Sequence, residues 1–345
     1  MRAARYHANR DVRVEDVAAP APEPDEVVVD VAACGICGSD LAEYSHGPRA
    51  GEESLPYVMG HEFGGTVAET GADADVAVGT EVVVNPLVAC EDCWCCDAGQ
   101  YNLCRNLVVV GAQRPGAYAE RVRVPATNVV PLPDGVSPET AAVAEPFTVA
   151  YHGLLQSPIR SGDDVAVVGM GPIGLATVQL ARDVGAGTVY ASGHREARRA
   201  LAAECGADVV VDPRETDFVE TVRENTRGGA DVAFDVTGTE SGYADAVGAT
   251  RPDGHTTLVG VFEDAIEADI MEYVSAQRSA TGSAAYQTGP RAGEEFGTVL
   301  RKFAAGDLDP EPLVTSRIAL DDIESEGFEA LADSDSGEVK VLVRP

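Results

Sequence analysis

Apolar residues recur in two different rhythms along this chain. Up to residue 151 they come in short runs such as VVVDVAAC, TVAET, EVVVNPL and YAERVRVPA, broken often by Pro and Gly. Runs of that length and punctuation predict a β-barrel-like domain with long loops. From 152 to 288, strand and helix patterns alternate. DDVAVVGM is almost continuously apolar, as a parallel strand buried on both faces must be. PIGLATVQLARDVGA follows, with Ile173, Thr177, Leu180 and Val184 on one helical face. TVYASG, a helix through ARRALAAECGA, DVVVD, DVAFDVTG and HTTLVGVF continue the series. That alternation predicts a doubly wound α/β domain. The tail holds a predicted helix, EEFGTVLRKFAAGDL, and the β run VKVLVRP, expected to return to the first domain and make it discontinuous.

The charge balance is unusual. The 345 residues carry 25 basic against 57 acidic side chains, a net charge of −32. Only Lys302 and Lys340 are lysines. The acids are dispersed, through VEDVAAPAPEPDEVVVD and GADADVAVGTE to DDIESEGFEALADSDSGE. A dispersed excess predicts an acidic surface of halophilic type. In molar salt the Debye length is about 3 Å and self-repulsion is screened. With no basic stripe to neutralise phosphates, nucleic acid is excluded as a partner. The opening MRAARYHANRDVRVED is charged and has no apolar h-region, and no run of about 18 apolar residues occurs. The expectation is a cytoplasmic protein without signal peptide or membrane span.

Eight cysteines in such a chain favour metal binding or catalysis over disulfides. Cys90, Cys93, Cys96 and Cys104 are spaced C-x2-C-x2-C-x7-C. Four thiolates that close in sequence can complete a tetrahedral shell around Zn2+ and leave no position for substrate. The segment 89–106 has little core of its own, so a metal would have to hold it together. Cys95 is a fifth thiol there and blurs which four bind. A second set is scattered: Cys37 in CGICGSD, His61 and Glu62 in GHEFGGTV, and Glu145 in AEPFTVAYH. A mixed shell from distant segments suits a catalytic zinc with an exchangeable position. Cys34, Cys95 and Cys205 are read as non-ligands.

Gly169, Gly171, Pro172, Ile173 and Gly174 belong to a GxGxxG that follows a buried strand and opens a helix. That context brings a pyrophosphate to the helix N-terminus. An NAD site usually ends its second strand with Asp or Glu for the ribose 2′-hydroxyl. Here that position holds Gly193, followed by His194 and Arg195. A missing carboxylate and an added guanidinium predict a preference for NADP(H) over NAD(H). Arg198 and Arg199 are possible helpers.

CGICGSD, GHEFGGTV, the four-cysteine lobe, AEPFTVAYH and GMGPIG occur here in one order and spacing. Together they resemble the zinc-dependent medium-chain alcohol/polyol dehydrogenases, over essentially the whole chain. MRAARYH, GSDLAEY and the glutamate of AEPF look most like the 2,3-butanediol and sorbitol dehydrogenase branch. The resemblance implies an α/β protein with a GroES-like β-rich catalytic domain over 1–151 and 289–345. Its zinc lobe spans about 89–106, and a Rossmann domain spans 152–288. It chooses Cys90, Cys93, Cys96 and Cys104 for the structural zinc, and makes Cys37 and His61 ligands of the catalytic zinc. Glu62 and Glu145 join that shell, directly or through water, but not both at once. Asp40 would orient the ligand histidine, and Ser39 would accept the alcohol proton. Many relatives carry histidine where this chain has Ala42, so a relay through that side chain is absent; His46 is read as a surface-loop residue at least as readily as a proton carrier. Residues 44–57 and 273–290 would line the substrate pocket. The implied reaction is zinc-assisted hydride transfer between NADP(H) and a diol, polyol or secondary alcohol, in a homotetramer or homodimer. An aldose or threonine dehydrogenase of the same fold is the alternative, and a catalytically silent binding or sensor protein the remote one.

Overall fold

The structure, a computed structural model, describes residues 1–48, 51–333 and 335–345. They divide into two units. The first comprises Met1–Glu145, Gln287–Gly306 and Val314–Pro345, and the second Pro146–Tyr286 and Asp307–Leu313. Sequence periodicity had drawn the borders at 151/152 and 288/289. The first border instead falls inside the helix Ala144–Leu155, where no loop marks it. The short stretch Asp307–Leu313 also changes sides. The side chain of Gln179 fastens it to the second unit: Nε2 donates to the Asp309 carbonyl and Oε1 accepts from the Asp309 N–H, both at 2.8 Å.

In the first unit the strand Glu26–Gly35 is the spine of a seven-stranded sheet. Glu62–Thr70 runs antiparallel along one edge, in register from Val27↔Thr70 to Gly35↔Glu62. Two strands share the other edge. Arg121–Pro125 pairs with Glu26–Asp30, and Lys340–Arg344 pairs with Cys34 and Gly35. Alternating side chains of these strands fill one core with Tyr6, Phe63, Val82, Val124 and Val341. The register carries Glu62 and Lys340, each the first residue of its strand, to the same end of the spine. Gly35 lies between them. A Cβ there would collide with the Glu62 carboxylate and approach the Lys340 stem to 3.2 Å.

The second unit holds a parallel sheet of six strands. Their order is Val209–Val211, Val189–Ser192, Val165–Val168, Ala230–Asp235, Thr250–Leu258 and Ser279–Gly282. Counted within the unit this is 3-2-1-4-5-6, the doubly wound order whose reversal point opens a crevice for a dinucleotide. The helix Pro172–Val184 departs from the single-face expectation. Residues 174–181 are all buried, whereas Val184 is exposed and Ile173 half-buried. The helix is therefore wrapped almost all round along its middle turns. No helix among the described residues is long and apolar enough to cross a membrane.

Candidate active site

Cys37 stands at the N-terminus of the helix Gly38–His46, where the chain leaves the spine strand. His61 precedes the strand Glu62–Thr70. Ligand atoms of Cys37, His61 and Glu62 all lie within 4.8 Å of one another. Asp40 ties this group together. Its carboxylate, 3 % exposed, meets His61 Nδ1 at 3.3 Å, accepts the Tyr118 hydroxyl at 2.7 Å and accepts the Cys37 N–H at 3.2 Å. Holding Nδ1 on a carboxylate leaves Nε2 as the ring's lone-pair donor, the usual arrangement behind a metal-bound histidine. Burial alone would raise the Asp40 pKa, but His61, Tyr118 and the Cys37 N–H hold it below the ordinary value. At His61, burial is outweighed by Asp40 and Cys37, which raise its pKa well above the usual value. That negative field, with a thiol, an imidazole and a carboxylate in reach, fits a divalent zinc ion.

Glu62 is not a free ligand. Lys340 Nζ donates to both of its oxygens, to Oε1 at 2.7 Å, and to the Ile36 carbonyl at 2.9 Å. Burial would lower the Lys340 pKa, but Glu62, Cys37 and Glu145 raise it above the ordinary value. Glu145 lies in the first turn of its helix and is buried. Its charge reaches Lys340, yet its carboxylate stands outside the 4.8 Å group. The structure thus assembles three of the four expected ligands of the open site. Ser39 is half-buried in the first helical turn, two residues from Cys37, and His46 is exposed at the end of that helix. Tyr44, expected to line the pocket, is core: it is buried and stacked on Phe328 at 4.7 Å. Of the same stretch, Arg49 and Ala50 lie outside the described residues.

Cys90, Cys93, Cys96 and Cys104 also present sulfurs within 4.8 Å of one another. Measured pairs are 3.6 Å for Cys93–Cys96, 4.0 Å for Cys93–Cys104 and 3.4 Å for Cys90–Cys104. A tetrahedron with Zn–S near 2.3 Å has edges of about 3.8 Å. Amide groups already point at the sulfurs: Cys90 N–H donates to Cys104 Sγ at 3.2 Å and Asn106 N–H at 3.4 Å. Backbone N–H groups of Arg105 and Cys96 pull the Cys93 thiol down to about 6. Cys95 is buried outside this set.

The second unit contains a cleft of ≈ 320 Å³ lined by Gly169, Gly171, Gly193, His194, Arg195 and Arg198, among others. Gly169 has φ +102°, and a Cβ on Gly174 would run into the Gly169 carbonyl, so the turn is a bare-backbone approach to the helix N-terminus. Pro172 and Ile173 form the first turn of that helix. Arg195 and Arg198 face the cleft together, and Arg195 Nη1 is buried without a hydrogen-bond partner among the described residues. Burial and then the charge of Arg195 push the Arg198 pKa down to about 10, so Arg198 stays charged at neutral pH. Arg199 is not a helper. It pairs with Asp212 at 2.8 Å and donates to the Gly193 and His194 carbonyls at 3.0 and 2.6 Å, which shapes the turn instead.

Sequence reasoning missed Lys340 and Tyr118. Lys340 sits 278 residues from its partner Glu62, and Tyr118 78 residues from Asp40. The one signal on offer was that Lys340 is one of two lysines in a chain that otherwise uses arginine.

Residues 23–134 match the alcohol dehydrogenase GroES-like domain, and residues 172–305 match the zinc-binding dehydrogenase family. Over the full length of both chains the protein is 38 % identical to (R,R)-butanediol dehydrogenase of Bacillus subtilis. The chain is a zinc-dependent medium-chain dehydrogenase. Other relatives of this dehydrogenase include the sorbitol dehydrogenase of Bacillus subtilis, 32 % identical over 100 % of this chain and 97 % of that one. The L-threonine 3-dehydrogenase of Pyrococcus furiosus is 33 % identical over 95 % and 94 %. Among solved structures, 2R,3R-butanediol dehydrogenase from Bacillus subtilis superposes with a TM-score of 0.91 at 37 % identity, covering 100 % and 99 % of the chains. A zinc-binding dehydrogenase from Sinorhizobium meliloti 1021 bound to NADP gives 0.89 at 32 % identity, with the same coverage. The dehydrogenase is an oxidoreductase that acts on an alcohol or polyol, uses zinc and a nicotinamide cofactor, and takes a small alcohol or carbonyl substrate.

Proposed function

We propose that this dehydrogenase oxidises a vicinal diol, polyol or secondary alcohol with NADP+ in preference to NAD+. One observation carries the cofactor choice. The position after the strand Val189–Ser192 holds Gly193 in place of a carboxylate, and the guanidinium groups of Arg195 and Arg198 face the cleft, with Arg195 Nη1 buried and without a hydrogen-bond partner among the described residues. A 2′-phosphate supplies the acceptor that Arg195 Nη1 awaits. Butanediol and sorbitol dehydrogenase relatives support the diol or polyol.

Cys37 and His61 would hold the catalytic zinc with Glu62 or Glu145 completing the set, and the ion supplies Lewis acidity toward the alcohol oxygen. The nicotinamide supplies the hydride acceptor. Asp40 keeps His61 in one tautomer and orientation. Lys340 holds Glu62 by both oxygens, so that carboxylate reaches the metal only by giving up part of an ion pair. Ser39, next to this group on its helix, would accept the substrate's hydroxyl proton while passing its own onward to water. Cys90, Cys93, Cys96 and Cys104 would hold a second zinc that keeps their lobe folded. The exposed apolar side chains Val261, Ile270, Met271 and Val274 support a homodimer or homotetramer. Eight free cysteines suit the cytoplasm.

Initial rates in about 2–3 M KCl, where screening is near 3 Å, test the reading. NADP+ and NAD+ would each be paired with 2,3-butanediol, sorbitol, 2-propanol, glucose and threonine. NADP+-dependent oxidation of a diol or polyol is expected, and Arg195→Ala should erode kcat/KM for NADP+ far more than for NAD+. A clear NAD+ preference would overturn the cofactor choice. Turnover of threonine or glucose alone would keep the site and replace the substrate.

A further inference from the structure

The wall of the nucleotide cleft that carries Arg195 is held from behind by one carboxylate. Asp212 follows the strand Val209–Val211, and its side chain is 7 % exposed. It takes Arg214 with both oxygens, Nε donating to Oδ1 at 2.9 Å and Nη2 to Oδ2 at 2.6 Å, and it takes Arg199 Nη1 on Oδ2 at 2.8 Å. Oδ1 also accepts the Arg214 N–H at 3.1 Å. Hydrogen bonds from Arg214 and the charge of Arg199 hold its pKa well below the ordinary value, so the bridge is ionised at neutral pH. The same two guanidinium groups also reach the main chain. Arg199 Nη1 donates to the carbonyls of Gly193 and His194, at 3.0 and 2.6 Å, and Arg214 Nη2 donates to that of His194 as well. Arg214 is 63 % exposed, and a pair to so exposed a group adds little stability of its own. Its effect is on direction.

Those carbonyls decide where Arg195 begins. A carbonyl and the N–H of the next residue lie in one planar peptide unit, so fixing the first fixes the second. The His194 carbonyl, held by two guanidinium groups, shares its plane with the Arg195 nitrogen, and the Gly193 carbonyl shares its plane with the His194 nitrogen. On the strand side, the Gly193 N–H donates to the Val211 carbonyl at 3.2 Å. The peptide units from Ser192 to Arg195 are thus tied down in succession. Arg195 then opens the helix Glu196–Glu204 as its N-cap, with no side-chain capping bond. Gly193, His194, Arg195 and Arg198 line the cleft, and so does Pro213, which stands between Asp212 and Arg214 in the chain. Four guanidinium groups on two adjoining segments repel one another. The carboxylate turns Arg199 and Arg214 onto the backbone and leaves Arg195 and Arg198 facing the cleft.

We propose that Asp212 is a positioning residue for cofactor choice: through Arg199 and Arg214 it holds the turn 193–194 so that Arg195 meets the 2′-phosphate of NADP(H). The inference rests on the cofactor reading above. Titration calorimetry with NADP+ and NAD+ on the zinc-loaded full chain tests it. The readout is the ratio of the two dissociation constants, which a partly unfolded sample leaves unchanged. Asp212→Ala should cut the preference for NADP+ about tenfold, the scale of one hydrogen bond to a charged group, and change NAD+ binding by less than about twofold. Asp212→Asn, whose neutral amide has one acceptor oxygen for two guanidinium groups, should lose part of the preference. Arg199→Met removes one arm of the clasp from the other side and should move the ratio the same way. In a chain carrying Arg195→Ala and Arg198→Ala, adding Asp212→Ala should leave the ratio where it is, because the turn has nothing left to aim. A purely structural role would weaken both dinucleotides equally and keep the wild-type ratio, which overturns the proposal. So does a ratio that rises, the mark of freed guanidinium groups binding the phosphate themselves. So does a further fall in the chain that already lacks both cleft arginines. A wild-type preference for NAD+ overturns the cofactor reading and this inference with it; a wild-type preference for NADP+ that Asp212→Ala leaves intact overturns this inference alone.

Discussion

Lys340 and Glu62 form an ion pair in which each side chain is 1 % exposed. Both carboxylate oxygens are engaged, and the ammonium's further contact goes to the Ile36 carbonyl. A pair this buried gains little over apolar packing, but removing one member strands a charge. Its place beside Cys37 and His61 makes it part of the metal's electrostatic setting as well as of the fold.

Lys340→Met should therefore destabilise the zinc-free protein by about 3–5 kcal/mol. Denaturant unfolding in molar KCl measures it. Zinc should narrow the gap between variant and wild type, because the ion gives Glu62 a new cationic neighbour. A gap of equal size with and without zinc would separate Glu62 from the metal site.

Asp40→Ala removes the carboxylate that fixes His61. Zinc affinity at the open site should fall about 10–100-fold. Tyr118→Phe, which takes away one of Asp40's three partners, should show a smaller loss in the same direction. Competition with a chromophoric chelator reads both, and the four-cysteine site should keep its zinc throughout. Equal loss from both sites would mean unfolding rather than misorientation.

His255 gives a pH dependence remote from the metals. It is buried, its Nδ1 meets Ser279 Oγ at 2.8 Å, and its Nε2 has no hydrogen-bond partner among the described residues. Burial lowers its pKa below the ordinary 6.5. The unfolded chain then takes the proton first, so its contribution is full above about pH 6.5 and is lost as pH falls below that toward the lower folded value. The difference in unfolding free energy between wild type and His255→Gln should shrink from about pH 8 to about pH 5.5. A constant difference would show that the ring titrates alike in both states.

A net charge of −32 makes the salt response a test of the halophilic reading. Self-repulsion is strong in dilute buffer and screened within about 3 Å in molar salt. The thermal midpoint should climb between about 0.1 and 2 M KCl. Equal midpoints would end that reading.

What the sequence disclosed was local. Cys90, Cys93, Cys96 and Cys104 lie within fifteen residues of one another, and the glycine turn 169–174 sits between its own strand and helix, so spacing alone pointed to them. What stayed hidden depends on strand register and distant packing. The pairings Gly35↔Glu62 and Gly35↔Leu342 deliver Lys340 to Glu62, and nothing near either residue announces it. Tyr118 reads as one more aromatic in a β segment until the fold sets its hydroxyl on Asp40. Asp307–Leu313 belongs with the second unit, to which the Gln179 side chain ties it by two hydrogen bonds that periodicity does not see. Motif order offers Glu145 as an alternative to Glu62, and the group within 4.8 Å contains Glu62.

Gly35 has a consequence for how this protein can change. The vacancy at its Cβ is filled by the Glu62 carboxylate and flanked by the Lys340 stem. Positions 35, 62 and 340 therefore form one heritable unit. A larger residue at 35 is viable only with a shorter partner at 62, and that loss strands the lysine at 340. Directed evolution aimed at new substrates would find these three sites almost immovable one at a time and open only to simultaneous replacement.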